Sequence, residues 1–187
     1  MNYYFCNQEK HFEKHLVALI KRPVMTMDKR TLKEKVSTLL VADKKTLDQL
    51  NLDFLFGYNI FPNHIMTFLT QWKFENRPMK VGDTILQQVF LPPVRSFSQK
   101  ILFGVRINSI INEPTRKGFS YQTLEGHVEK GESSFTIENL DNGIVFRIHT
   151  FSEPTNWLSK MAGPFFALPY QRFCTRSALE NVKRQLV

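Results

Sequence analysis

The centre of the chain holds five consecutive runs rich in branched and aromatic residues, "DTILQQVFL", "QKILFGVRINSII", "GFSYQTL", "SSFTIENL" and "GIVFRIHTF", parted by turn-forming stretches such as "LPPVRS", "NEPTRKG" and "LDNG". Such runs read as β-strands. Connections this short leave no room for crossover helices, so successive strands pair antiparallel. The last connection is the most explicit: Asp141-Asn142-Gly143 supplies the positive φ angles that a tight hairpin needs. Across that hairpin Phe135 and Ile137 alternate with Ser134 and Thr136, while Ile144, Phe146 and Ile148 alternate with Val145, Arg147 and His149. The apolar set is expected to face a core, with Arg147 and His149 facing away or lining a polar mouth.

A sheet with one apolar face must cover it. The C-terminal stretch offers the cover, with helical spacing through Trp157, Leu158, Met161, Phe165, Phe166, Tyr170, Phe173 and Val182. Ser152-Glu153-Pro154 reads as a helix start, and Gly163-Pro164 and Pro169 are expected to divide the element into two helical segments. Upstream, "EKHFEKHLVALIKR" and "DKRTLKEKVSTLLVA" each carry apolar residues at three- and four-residue intervals, so two amphipathic helices are expected, separated at Pro23. A first strand is expected near Leu52 to Tyr58, and a helix in "FPNHIMTFLTQWKF", where Ile65, Phe68, Leu69 and Trp72 share a face. The expected organisation is therefore α+β: an N-terminal helical extension over 1–49, packed on a main domain over 50–187.

At 187 residues and 42% hydrophobic content, the chain can bury a core without staples. Cys6 and Cys174 lie at opposite ends, with neither a disulfide framework nor a zinc spacing, and are expected to be free thiols. No run reaches the roughly 18 apolar residues that a membrane span needs, and "MNYYFCNQEKHFEKH" lacks a secretory layout, so a soluble cytoplasmic protein is expected. The net charge of +8 is spread along the chain. Its densest cluster, "KRPVMTMDKRTLKEK", is interrupted by Asp28 and Glu34 and accompanied by no nucleic-acid motif, which argues against a nucleic-acid partner.

"GFSYQTLEGHVEKGESSFTIE", "GIVFRIHTFSEPTNWLSKMAGP" and the closing "YQRFCTRSALENVKRQL" resemble a domain-of-unknown-function family whose hallmark is a Y-x-T-L-x-G-H-x-E-x-G-E segment, a strand, an F-S-x-P corner and a long terminal helix. "FGYNIF", "VGDTI" and "QKILFGVRINSIINEP" fit its earlier strands, so the resemblance runs from about Leu50 to the C-terminus. The family is grouped with the START-like, polyketide-cyclase-like (SRPBCC) helix-grip superfamily. The resemblance implies a curved antiparallel sheet wrapped around a long C-terminal helix. It also implies a cavity between them for an apolar or amphipathic molecule such as a lipid, sterol or polyketide-like compound.

The residues offer chemistry in two places. His127, Glu129 and Glu132 combine the donor and acceptor types that acid–base work needs, and in an extended segment His127 and Glu129 project from one side. The plain alternative is a decorated connection between strands, since Lys130-Gly131 makes a turn unaided. The H-x-E-x-x-E pattern and the i,i+4 pair His11 and His15 match no catalytic zinc signature, so no metal is expected. No G-x-S-x-G elbow, phosphate-binding glycine loop, C-x-x-C pair or dinucleotide fingerprint occurs, so no cofactor is expected. The second place is aromatic. Among 17 phenylalanines and their aromatic neighbours, Phe103, Tyr121, Phe146, Trp157, Phe166 and Tyr170, with the guanidinium of Arg147, are the candidates for lining a ligand pocket. Three readings follow: a small-molecule binding domain, an enzyme with His127 and Glu129 at the cavity rim, or an interaction module using its basic N-terminal helices on an acidic partner or a membrane.

Overall fold

The computed structural model describes residues 2–42, 46–94, 96–154 and 163–186. The five central runs form the strands β4 (Thr84–Leu91), β5 (Gln99–Glu113), β6 (Arg116–Thr123), β7 (Glu129–Leu140) and β8 (Gly143–Pro154). Each pairs antiparallel with the next, and the last hairpin closes on Leu140 and Gly143 with Gly143 at φ 114°. Three further strands, β1 (Asn2–Tyr4), β2 (Lys33–Ala42) and β3 (Met66–Thr70), complete one sheet of order β2-β8-β7-β6-β5-β4-β3, with β1 added beside β5. The C-terminal helix, α4 (Gly163–Leu186), crosses the concave face. This is the helix-grip architecture.

Three local expectations are corrected. "KEKVSTLLVA" is the edge strand β2, paired with β8 from Lys33↔Ser152 onward, and not a second N-terminal helix. Its apparent helical face was carried by Val36 and Leu40, which are 46% and 45% exposed, as the open side of an edge strand allows. The expected first strand is instead a one-turn helix, α2 (Asp53–Phe56), started by Asn51, whose side-chain oxygen accepts the Asp53 N–H at 2.8 Å. The expected helix from Phe61 is strand β3 followed by the single turn α3 (Gln71–Phe74), with the Thr70 hydroxyl accepting from the Lys73 N–H. Strand β3 is covered on both faces, Met66 and Phe68 packing into one core cluster and Leu69 into the other, so its apolar residues do not simply alternate, a pattern that periodicity alone does not separate from a buried helix. The C-terminal helix α4 begins at Gly163, one of the two expected breaks, and carries the other, Pro169, within it; Ser152 to Pro154 belong to β8, and the helical segment expected to follow them falls on 155–162, outside the described residues.

The sheet carries a cluster on each face. On the convex face α1 (Phe12–Ile20) buries Phe12, Leu16 and Leu19 against Leu86, Leu102 and Leu124. Gly104 makes room for it: a Cβ there would meet the Leu124 side chain at 2.9 Å and that of Leu19 at 3.1 Å. Arg106 donates to the carbonyls of Leu19 and Ile20, satisfying acceptors that a helix C-terminus leaves open. The apolar face of α1 is thus spent on the sheet. On the concave face the core gathers Leu55, Tyr58, Ile60, Phe119, Phe135, Ile137, Phe146 and, from α4, Ala178, Val182 and Leu186. Tyr58 is fully buried at φ 63°, a backbone region uncommon for side chains of its bulk, and its ring meets Phe68 edge-on at 5.1 Å.

Candidate functional site

Beyond this core, under the first described turns of α4, lies a cavity of about 200 Å³. Strand alternation builds its wall: Val89 and Leu91 of β4, Ile101 and Phe103 of β5, and Tyr121 of β6 all point to the concave side. Phe61, Ile65 and Met66 add apolar surface, and α4 contributes Tyr170, Gln171 and Cys174. His127, Val128 and Glu129 close the remaining side.

The last three residues owe their position to a turn. Gly126 adopts φ 82°, the His127 N–H returns to the Leu124 carbonyl at 3.0 Å, and the chain then enters β7 at Glu129. The imidazole lies against the Phe103 ring, centroid to centroid 4.2 Å. Its Nδ1 sits 2.8 Å from the Glu129 carbonyl oxygen and 3.0 Å from the Glu129 N–H, so either tautomer finds a backbone partner. Burial pulls His127 down to about 4, with the backbone contact opposing, and the ring is neutral near pH 7. Burial pushes the Glu129 carboxyl up to about 7, against the pull of Lys35. Glu129 therefore exchanges its proton close to neutrality.

Two consecutive residues of α4 tie the helix across the cavity. The Tyr170 hydroxyl donates to the Phe90 carbonyl on β4 at 2.8 Å, and the Gln171 amide donates to the Glu129 carboxyl on β7. Burial raises the Tyr170 phenol far above its usual range and pushes the Cys174 thiol up to about 11, the charge of Glu129 adding to the latter. Cys174 is a protonated thiol here, without the thiolate a nucleophile requires. Tyr121, raised by burial, shares hydrogen bonds with Tyr58, Gln87 and Ser133, and Gln87 donates to the Tyr58 hydroxyl.

Of the residues singled out from sequence, the cavity brings together Phe103, Tyr121, His127, Glu129 and Tyr170. It leaves out Glu132, which lies on the opposite face of β7, bonded to Lys29 at 2.8 Å and to Gln122 at 3.0 Å. Arg147 is on that face too, 3.1 Å from Glu138. Phe146 is buried in the packed core and is no part of the cavity wall. Trp157 lies outside the described residues, and so does the side chain of Phe166, whose backbone belongs to α4. Sequence reasoning missed Gln87, Gln171 and Cys174. A signal existed for two of them. Tyr170, Cys174, Ala178 and Val182 form a stripe at four-residue intervals, and Gln87-Gln88 interrupts an apolar strand, where buried amides require partners. Among the described residues no cluster of three His, Cys, Asp or Glu side chains is arranged to hold a metal. No described helix is long and apolar enough to cross a membrane.

Comparison with solved structures supports the fold. A hypothetical protein from Helicobacter pylori superposes with a TM-score of 0.56 at 12% identity, covering 88% of this chain and 97% of its own. The di-domain ARO/CYC StfQ from the steffimycin biosynthetic pathway gives 0.54 at 11% identity over 84% of this chain and 52% of its own. Major latex-like protein 151 from Panax ginseng gives 0.50 at 15% identity over 83% and 97%. In sequence, a UPF0548 protein of Dictyostelium discoideum is 29% identical over 164 residues, 73% of this chain and 71% of the relative. A UPF0548 protein of Deinococcus radiodurans is 37% identical over 68 residues, 36% and 34% of the two chains. The family described as "Domain of unknown function (DUF1990)" matches residues 47–181, which span the strands from β3 to β8 and most of α4, and the chain belongs to that family.

Proposed function

We propose that the protein binds a small apolar or amphipathic molecule between the sheet and α4. The observation that carries this reading is the cavity itself: about 200 Å³ of space in an otherwise interlocked core, walled mainly by Phe, Ile, Val, Leu and Met, with a few polar groups gathered on one side. Ligand sites have this composition. A dry apolar void of about 150 Å³ accommodates benzene. The space here suits one ring with a short substituent, and a fused polyketide or a lipid would occupy it only in part. The fold supports the reading, since StfQ, of similar architecture, is a di-domain ARO/CYC protein of the steffimycin biosynthetic pathway.

Native mass spectrometry of the purified protein, with a thermal-shift screen of single-ring and short-chain compounds, tests it. A retained or stabilising ligand is expected. Uniformly null screens, together with a large loss of stability when the cavity is filled by mutation, would count against it.

A second reading rests on the placement of His127 and Glu129 together in the cavity wall, where burial pushes the Glu129 carboxyl up to about 7 beside a neutral imidazole, as suits a group that gives and takes protons. Mass analysis of each bound compound after incubation separates the two. Recovery unaltered supports binding alone, while a mass change that disappears in Glu129→Gln supports catalysis.

A further inference from the structure

The polar groups of the cavity are unevenly committed, and the imbalance bears on what the ligand carries. This inference rests on the binding reading and narrows it. Among the described residues that line the cavity there is no lysine and no arginine. At least one donor on each of Tyr170, Gln171 and Gln87 is taken up by the protein: the Tyr170 hydroxyl by the Phe90 carbonyl, one Gln171 N–H by Glu129, and one Gln87 N–H by Tyr58. Tyr121 is engaged with Tyr58, Gln87 and Ser133. The acceptor side is different, because a carboxylate offers about four lone-pair sites and Gln171 occupies one.

We propose that the cavity selects a small apolar molecule bearing a protonated amine, which pairs with the Glu129 carboxylate, and rejects the same skeleton bearing a carboxylate or phosphate. An ammonium brings donors to a site with acceptors to spare, and the resulting charge-assisted bonds are stronger than neutral ones. An anionic head group would be stripped of water beside a carboxyl, with no cation among the described residues of the wall to compensate. The outside of the molecule has the opposite bias, with a net charge of +8, so anions gather at the surface without fitting the interior. Among the described residues, the charged and titratable groups that face Glu129 are His127 from the preceding turn, Lys35 from β2, Tyr121 from β6 and Cys174 from α4. Lys35 is the one cation of that set; it favours the ionised carboxyl, and burial outweighs it.

The test uses the full chain and three probes of matched shape, 2-phenylethylamine, 2-phenylethanol and 3-phenylpropanoate, with affinities read by calorimetry at pH 8 and pH 6. At pH 8 the amine is expected to bind about tenfold tighter than the alcohol, the scale of one good charge-assisted contact, and the propanoate to bind weakest. The amine-to-alcohol ratio should fall toward one at pH 6, below the value of about 7 at which Glu129 ionises. Glu129→Gln should bring the amine down to the level of the alcohol. Binding of the propanoate as tight as that of the amine would overturn the proposal while leaving the cavity a binding site. So would an amine preference untouched by Glu129→Gln. Should that variant fail to fold, the pH dependence of the ratio in the unmodified chain decides, and a ratio constant from pH 6 to pH 8 overturns the proposal. Failure of all three probes to bind at millimolar concentration would overturn the binding reading as well.

Discussion

At one end of the concave face, Phe119 and Phe135 stack at 5.5 Å and Tyr58 meets Phe68 and Phe135 edge-on at 5.1 and 6.5 Å. At the other end Phe103, Tyr121, His127, Glu129 and Tyr170 face one another across about 200 Å³. The same strands build both ends. β5 supplies Ile107 to the first and Phe103 to the second, and β7 supplies Phe135 and Glu129. What changes along each strand is the kind of restraint. The packed end is fixed by volume, since every ring is held by its neighbours. The hollow end is fixed by hydrogen bonds: Tyr170 to the Phe90 carbonyl, Gln171 to Glu129, and His127 to the backbone of Glu129. A directional bond can hold a side chain at the edge of empty space, which dispersion cannot. The polar residues of this concave face therefore mark where the core stops being solid.

Truncation gives the largest expected contrast. Phe135→Ala should destabilise by about 3 to 5 kcal/mol, the range for removing a buried ring from a close-packed site, read from denaturant midpoints at constant slope. Phe103→Ala should cost about half as much, because that ring already lacks neighbours on its cavity side. Equal losses would break the comparison.

The second contrast is electrostatic and confined to the hollow end. Glu129 has its folded value raised from 4.5 to about 7, so the folded state holds its proton more tightly and stability falls as pH rises through that window. His127 is lowered from 6.5 to about 4, so the unfolded state holds the proton more tightly and stability rises between those values. Each contribution amounts to roughly 3 kcal/mol across its window. Where the windows overlap, between about pH 4.5 and 6.5, the two oppose. Glu129→Gln should remove the fall, and its advantage over the unmodified chain should grow by about 3 kcal/mol from pH 4.5 to pH 8. His127→Asn should remove the rise, with an advantage greatest in acid. Urea denaturation across pH reads both, and curves parallel to the parent's would show that neither group is buried as described.

The packed end was legible in the sequence, and the hollow end only partly so. Phe135, Ile137, Phe146 and Ile148 fell on inward positions because strand alternation is a local property, and the hairpin at Asp141 to Gly143 fixed its phase. Strand β2 was misread because its partner β8 is remote in sequence, as His149 bonded to Glu34 shows, and pairing rather than propensity decides an edge strand. For the site, alternation put His127 and Glu129 on one side and should have set Glu132 on the other; treating the three as a unit overlooked the parity. Arg147 illustrates the same parity, facing Glu138 on the convex side. Gln171 lies off the apolar stripe of a helix whose rotation is set by the sheet beneath it, which no pattern within the helix itself encodes.

The smallest contrast lies within α4. Cys174 and Ala178 are one turn apart and face the same sheet, but Cys174 lines the cavity while Ala178 is fully buried in the packed core. Leucine at 178 has nowhere to go, and overpacking of that kind costs about 1 to 3 kcal/mol. Leucine at 174 extends into open space and exchanges a protonated thiol for apolar atoms, while Tyr170 keeps its bond to the Phe90 carbonyl. Cys174→Leu should stay within about 1 kcal/mol of the parent chain and should abolish binding of any cavity ligand, since the added atoms occupy its place. A loss as large as that of Ala178→Leu would mean that α4 settles onto the sheet in solution and closes the space. In that event the hydrogen bonds of Tyr170 and Gln171 would be fastening a solid core, and the polar side of the wall would need another explanation.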